Sequence, residues 1–150
     1  VCIHNIRKTM CVIIGLMLGV ISSTATQAAC VQSDFAGTWY TYTMSVDTTG
    51  VISPQVDRCK FKVNSSGSIV ASKSSCKSRN SSGTFVTDVT GGNVKVSSKC
   101  KLSGSVDFFA LGVPFTNVLE DGRLSKDKIT SSMIGYTLGT GIIMHATAVK

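Results

Sequence analysis

The sequence predicts an all-β fold: an antiparallel up-and-down β-barrel of about eight strands, with a small β-sandwich as the alternative. Three observations carry this. Short runs of alternating apolar and polar residues recur along the chain, separated by clusters of Gly, Asn, Asp and Ser. Beyond Cys30 no stretch carries a convincing helical period. The composition is 43% hydrophobic and only 15% charged, with 14 Gly and 2 Pro, which belongs to a chain that buries a core rather than a disordered one. With 150 residues less an export segment, there is material for one domain and one core.

Residues 1–29 read as a secretion signal. Arg7 and Lys8 form a short positive region, 10–21 is an unbroken apolar or glycine run, and 22–29 is the small-residue stretch that a signal peptidase reads. The apolar run is too short for a permanent transmembrane helix, which needs roughly 20 residues, so the mature form is expected to have no membrane span. Val1 in the place of an initiator Met fits a bacterial alternative start codon. Cleavage after Ala28 sets Thr26 and Ala28 at the small-residue positions. Cleavage after Ala29 would instead expose Cys30 for lipid attachment, although Gln27 stands where a lipoprotein signal wants an aliphatic residue. The expected location is the periplasm or the exterior, with a lipoprotein anchored through Cys30 as the alternative.

Cysteine usage agrees with export. Cys2 and Cys11 leave with the signal, and the expected domain, 30–150, keeps Cys30, Cys59, Cys76 and Cys100. An even number in a short exported chain implies two bridges. No Cys-x-x-Cys pair is present and the spacings fit no zinc pattern, so no metal is expected. Cys59 and Cys76 flank an expected hairpin and form the preferred pair, which leaves Cys30 to tether the N-terminus to Cys100.

The strands follow in order. The first is 37–46, ended by Asp47-Thr48-Thr49-Gly50. In 58–63, Cys59, Phe61 and Val63 share one face and Arg58, Lys60 and Lys62 the other. Ser65-Ser66-Gly67 turns the chain into 68–73, and 84–89 follows a polar loop. Thr90-Gly91-Gly92-Asn93 reads as a turn into a run over 94–102, where Val94, Val96, Cys100 and Leu102 oppose Lys95, Lys99 and Lys101. Further runs start near Val106 and at 118–124, 129–136 and 142–149. Antiparallel neighbours closed into a barrel leave no exposed edge.

Asp34-Phe35-Ala36-Gly37-Thr38-Trp39-Tyr40, at the entry to the first strand of an exported barrel, resembles the Gly-x-Trp opening of lipocalins and the wider calycin group of small ligand-binding barrels. The resemblance implies that Gly37 and Trp39 close the barrel floor, with a basic side chain from near the last strand over the indole; Lys150 is the available one. Gly-Thr-Trp-Tyr is also similar to the opening of the streptavidin family. Biotin pockets in that family are lined by several Trp residues, however, and Trp39 is the only one here.

Catalysis is not expected. His145 is the one histidine of the domain, placed in the last run with the parity of Ile143 and Val149, which turns it toward the interior, and is read as a hydrogen-bonded structural residue. The eight carboxylates form no close pair except Glu120-Asp121 beside a turn glycine, whereas acid-base chemistry wants a titrating group held against a partner. No serine sits in a Gly-x-Ser-x-Gly elbow, and no glycine-rich stretch ends as a phosphate loop does. No cofactor is implied.

The net charge is +7, and Arg58, Lys60, Lys62, Lys95, Lys99 and Lys101 fall on the solvent side of expected strands. They keep a Ser-rich surface soluble, and together they offer a basic surface to an anionic partner. Nucleic acid is not an expected partner, because aromatic residues do not alternate with the cations.

Phe108, Phe109, Leu111, Val113 and Phe115 concentrate in one segment with Gly112 and Pro114. This segment is expected to be neither regular strand nor polar loop: it plugs one barrel end, or forms a lip at a ligand or partner site. The expected function is a non-catalytic exported barrel binding a small apolar ligand. The alternatives are an exported module that binds a host or envelope protein or inhibits a hydrolase, and a structural envelope component.

Overall fold

The computed structural model describes residues 29–51 and 53–150; the expected export signal over 1–28 lies outside the described residues. Eight antiparallel strands form a closed barrel in sequential order, β1 pairing with both β2 and β8. They are β1 Gly37–Asp47, β2 Gln55–Val63, β3 Ser75–Asn80, β4 Gly83–Val96, β5 Lys101–Ala110, β6 Val113–Leu124, β7 Thr130–Thr137 and β8 Ile142–Val149. A 3₁₀ turn at Gln32–Phe35 precedes β1, and another at Ala71–Lys73 lies between β2 and β3.

The barrel has a closed end and an open end. At the closed end Trp39 is 1% exposed, stacks on Phe35 with ring centroids 4.5 Å apart, and donates its indole Nε1–H to the Phe35 carbonyl at 2.8 Å. Leu102, Val63, Val94 and Leu124 fill the space around it. Cys30 is bridged to Cys100, fastening the N-terminal segment to the β4–β5 turn. Cys59 and Cys76 face each other across β2 and β3 and are also bridged. Two disulfides fit an oxidising extracellular compartment. No helix among the described residues is long and apolar enough to cross a membrane.

Four segments differ from the sequence reading. The run over 94–102 is two strands, because Ser97–Cys100 reverses the chain, with Cys100 N–H donating to the Ser97 carbonyl at 2.9 Å and Cys100 at φ 60°. Val96 pairs with Leu102 across this turn, and a hairpin that pairs two even-numbered residues leaves the alternation unbroken. Residues 68–73 contribute only isolated bridges and the Ala71–Lys73 turn; the strand is Ser75–Asn80, whose inward residues are Cys76 and Ser78. Thr90-Gly91-Gly92-Asn93 is a bulge inside β4, not a turn. There Gly92 takes φ +124°, and a Cβ on it would lie 2.4 Å from the Ser105 carbonyl oxygen, so glycine lets β4 bend hard against β5.

The fourth is the Phe-rich segment, which is regular hairpin. Phe108 pairs with Phe115, Phe109 with Pro114 and Ala110 with Val113. Pro114 is tolerated because it sits one residue from the turn, near the strand start.

Candidate functional site

Inner faces set the barrel's bore. Along β1 the inward residues after Trp39 are Thr41, Thr43 and Ser45, while the outward ones are Tyr40, Tyr42, Met44 and Val46. On β7 the inward residues are Ser131, Met133, Gly135 and Thr137, and on β8 Met144, Ala146 and Ala148. Small side chains inside and bulk outside leave the middle unfilled. An eight-stranded barrel is just wide enough for its own side chains to fill it or for one small ligand.

The result is a cavity of about 350 Å³ running from Trp39 to the opposite end. Its walls are unlike. On the side of β5 to β7, Phe108, Phe115, Leu119 and Met133 are apolar, and Phe61 of β2 and Met144 of β8 add to them. Phe108 stacks on Phe115 at 5.2 Å and meets Phe61 edge-on at 6.2 Å. On the other side β1 to β4 contribute Thr41, Thr43, Asp57, Ser78 and Thr87. Ser78 and Thr87 share a hydrogen bond at 2.7 Å, and Gln55 Nε2–H donates to Asp57 Oδ1 at 2.7 Å. Asp57 is 9% exposed, and its burial raises the carboxyl above the ordinary carboxylate range against the opposing hydrogen bonds from Ser78 and Gln55. The hydroxyls of Thr41 and Ser131 are buried without a hydrogen-bond partner.

The open end carries an apolar lip on the β5–β6 side. Leu111 is 82% exposed and Val113 also stands out, both at the tip of the β5–β6 hairpin and both lining the mouth. Leu111 has φ 52° and Gly112 φ 83°, the pair of left-handed residues a two-residue hairpin turn needs. Asn or Gly normally serves there, so an exposed leucine is held in a strained conformation at the entrance.

The residues singled out from sequence separate cleanly. Gly37 and Trp39 are at the closed end, and a Cβ on Gly37 would meet Lys150 Cε at 2.5 Å, so glycine there makes room for the lysine. Phe108 and Phe115 line the cavity wall, Leu111 and Val113 its lip, and Phe109 points outward. The cations form two groups by register. Arg58, Lys60 and Lys62 on β2 lie beside Lys77 and Arg79 of β3, and Lys101 pairs with Arg123 near Lys95 and Lys99. His145, which the parity reading placed facing the interior, is exposed on the outside and hydrogen-bonds Ser132 at 3.1 Å. On β8 both parities hold apolar residues, so alternation did not choose between them; Met144, Ala146 and Ala148 are the ones that face inward.

Asp57 was not singled out, although it shares the parity of Cys59, Phe61 and Val63, which marks it as inward. No group of three or more His, Cys, Asp or Glu able to hold a metal occurs among the described residues. Comparison with protein-family models, with curated proteins and with solved structures finds no match to this chain.

Proposed function

We propose that this is an exported, non-catalytic barrel that holds a small, mainly apolar molecule in its interior. The observation that carries the reading is the cavity of about 350 Å³ between the Trp39 floor and the Leu111 lip, within the size range of small-molecule sites. A lipocalin-like affinity is supported by the closed eight-stranded order, the Gly-x-Trp entry and the basic residue over the indole. Export is supported by the two disulfides and the N-terminal sequence pattern. The test is titration of the folded protein with pyrene, a neutral apolar fluorophore, with native mass spectrometry of the protein purified from an oxidising compartment. Saturable binding at one site is expected; absence of binding by both measurements excludes the reading.

The outer face favours a second, compatible role. Tyr40, Tyr42 and Met44 of β1, Ile143 of β8, and Ile134 and Tyr136 of β7 are exposed on three neighbouring strands, around the polar His145 and Thr147 of β8, and large apolar side chains gathered on one face mark an interaction site. Arg58, whose guanidinium lies 5.6 Å from the Tyr42 ring centre, borders the patch with Lys77 and Arg79. Apolar surface edged by cations matches an anionic lipid surface. Pelleting with phosphatidylglycerol vesicles should exceed that with phosphatidylcholine vesicles, and Tyr42→Ser with Met44→Ser should abolish the excess. An unchanged excess in that double variant would rule this face out.

A further inference from the structure

The charge of the cavity is opposite to that of the molecule. The chain carries a net charge of +7, yet among the described residues the titratable groups lining the cavity are two aspartates, Asp47 and Asp57, with no Lys, Arg or His. Asp47 stands at the mouth, where its carboxylate accepts hydrogen bonds from the backbone of Thr49 and Val51. Asp57 lies deeper, on the inner face of β2 between Thr43 of β1 and Ser78 of β3. Its neighbours there are neutral, Gln55 and Ser78, and they orient the carboxylate without cancelling its charge.

A carboxylate set into a largely apolar interior without a cation is costly, and a chain selected only for stability would replace it. The same cavity is lined by Phe108 of β5, Phe115 of β6 and Met133 of β7, on strands that are not neighbours of β2 in the barrel. Each wall excludes something. The aromatic and methionine wall takes an apolar body and rejects a wholly polar solute. The Asp57 wall repels a carboxylate or phosphate head, and it gains most from a group that donates hydrogen bonds and carries positive charge. A neutral hydroxyl would satisfy the hydrogen bond but leave the charge.

Resting on the reading of the cavity as a ligand site, we propose that its occupant is an amphiphilic amine, with its ammonium on Asp57 and its apolar body against Phe108, Phe115 and Met133. The hydroxyls of Thr43, Ser78 and Thr87 around Asp57 can accept the hydrogen bonds that an ammonium has left after pairing with one carboxylate.

The experiment is displacement of bound pyrene by decylamine, decanol and decanoate at neutral pH, on the wild-type protein and on Asp57→Asn. Decylamine is expected to compete at about a tenth of the decanol concentration, the gain of one charged over one neutral hydrogen bond, with decanoate weakest. In Asp57→Asn the amine's advantage over decanol should disappear while decanol and pyrene still bind. If decanol or decanoate competes as well as decylamine, or if Asp57→Asn keeps the amine's advantage, the amine assignment is wrong and the cavity reading survives. If pyrene does not bind the wild type, the cavity reading falls and takes the amine assignment with it.

Discussion

The ammonium of Lys150 lies 5.7 Å from the centre of the Trp39 ring and donates to the Asp34 carbonyl at 3.1 Å. The last residue of the sequence thus caps the indole that the first strand buries, and the two ends of the barrel wall are locked over one side chain. Asp34 in turn pairs with Lys128 at 2.8 Å, so the β6–β7 connection joins the same closure.

Trp39→Ala should therefore be severe. It removes the floor's largest side chain, its stacking on Phe35 and a buried hydrogen bond, a loss of about 3–5 kcal/mol. Lys150→Met removes an exposed cation–π contact and an exposed hydrogen bond to the Asp34 carbonyl, and should cost about 1 kcal/mol, well below the loss at Trp39. Urea denaturation measures both. Because Trp39 is the only tryptophan and is 1% exposed, native fluorescence should resist iodide quenching; strong quenching would put the indole outside the floor.

The two bridges should differ in worth. Cys30–Cys100 closes a separation of 70 residues and Cys59–Cys76 one of 17. Loop-closure entropy makes each worth about 2–5 kcal/mol, the longer by about 1 kcal/mol more than the shorter. Pairwise Cys→Ser variants compared by urea unfolding check the order. A larger loss from the 17-residue bridge would mean that native packing around Cys59 and Cys76, not chain entropy, sets its contribution.

What the sequence conveyed depends on contrast between faces. β1, β2 and the two disulfide pairs were legible because Trp39, Cys59, Phe61 and Val63 alternate with polar residues or cations. β3 was invisible, since Ser75-Cys76-Lys77-Ser78-Arg79-Asn80 holds one apolar residue and its pairing is imposed by β2 and β4. β8 was recognised as a strand but turned the wrong way, because Ile143 and Val149 outside are larger than Ala146 and Ala148 inside. A hollow interior inverts the usual size rule, so the features that make the cavity are the ones that misled the reading of its wall. Phe108 and Leu111 were found by apolar density, which gave no account of which would line and which would rim the site.

Asp57 should make stability fall as pH rises. Burial raises its folded-state carboxyl above the unfolded value, so the folded state binds the extra proton. Its favourable contribution is full below the unfolded value of about 3.9 and is lost as pH climbs through the raised folded value. Asp34 and Asp127 act the other way. The Lys128 hydrogen bond at Asp34 and the Ser125 hydrogen bond at Asp127 lower their carboxyls, and that support disappears as pH falls through the lowered values. Thr43, Gln55, Ser78 and Thr87 around Asp57 do not titrate in this range, and Asp47 is the other cavity carboxylate. Asp57→Asn should raise the neutral-pH Tm and leave only the acid-side loss. A lower Tm at neutral pH would show that the ionised carboxylate is a net structural support.

The lip offers the sharpest separation of stability from function. Leu111 occupies a left-handed position that costs an L-residue roughly 1–2 kcal/mol, and 82% of its surface is exposed, so packing does not repay the strain. Asn suits the same conformation at the first centre of a two-residue hairpin turn. Leu111→Asn should therefore raise stability by about 1 kcal/mol. If the leucine is kept for its place at the cavity mouth, the same change should weaken or slow pyrene uptake, because the entering molecule loses an apolar contact at the threshold. Chemical denaturation and stopped-flow fluorescence on the two proteins measure the effects separately. A stabilised variant with unchanged uptake would make Leu111 a strained residue without a part in ligand entry, and would leave Phe108 and Phe115 as the hairpin's contribution to the site.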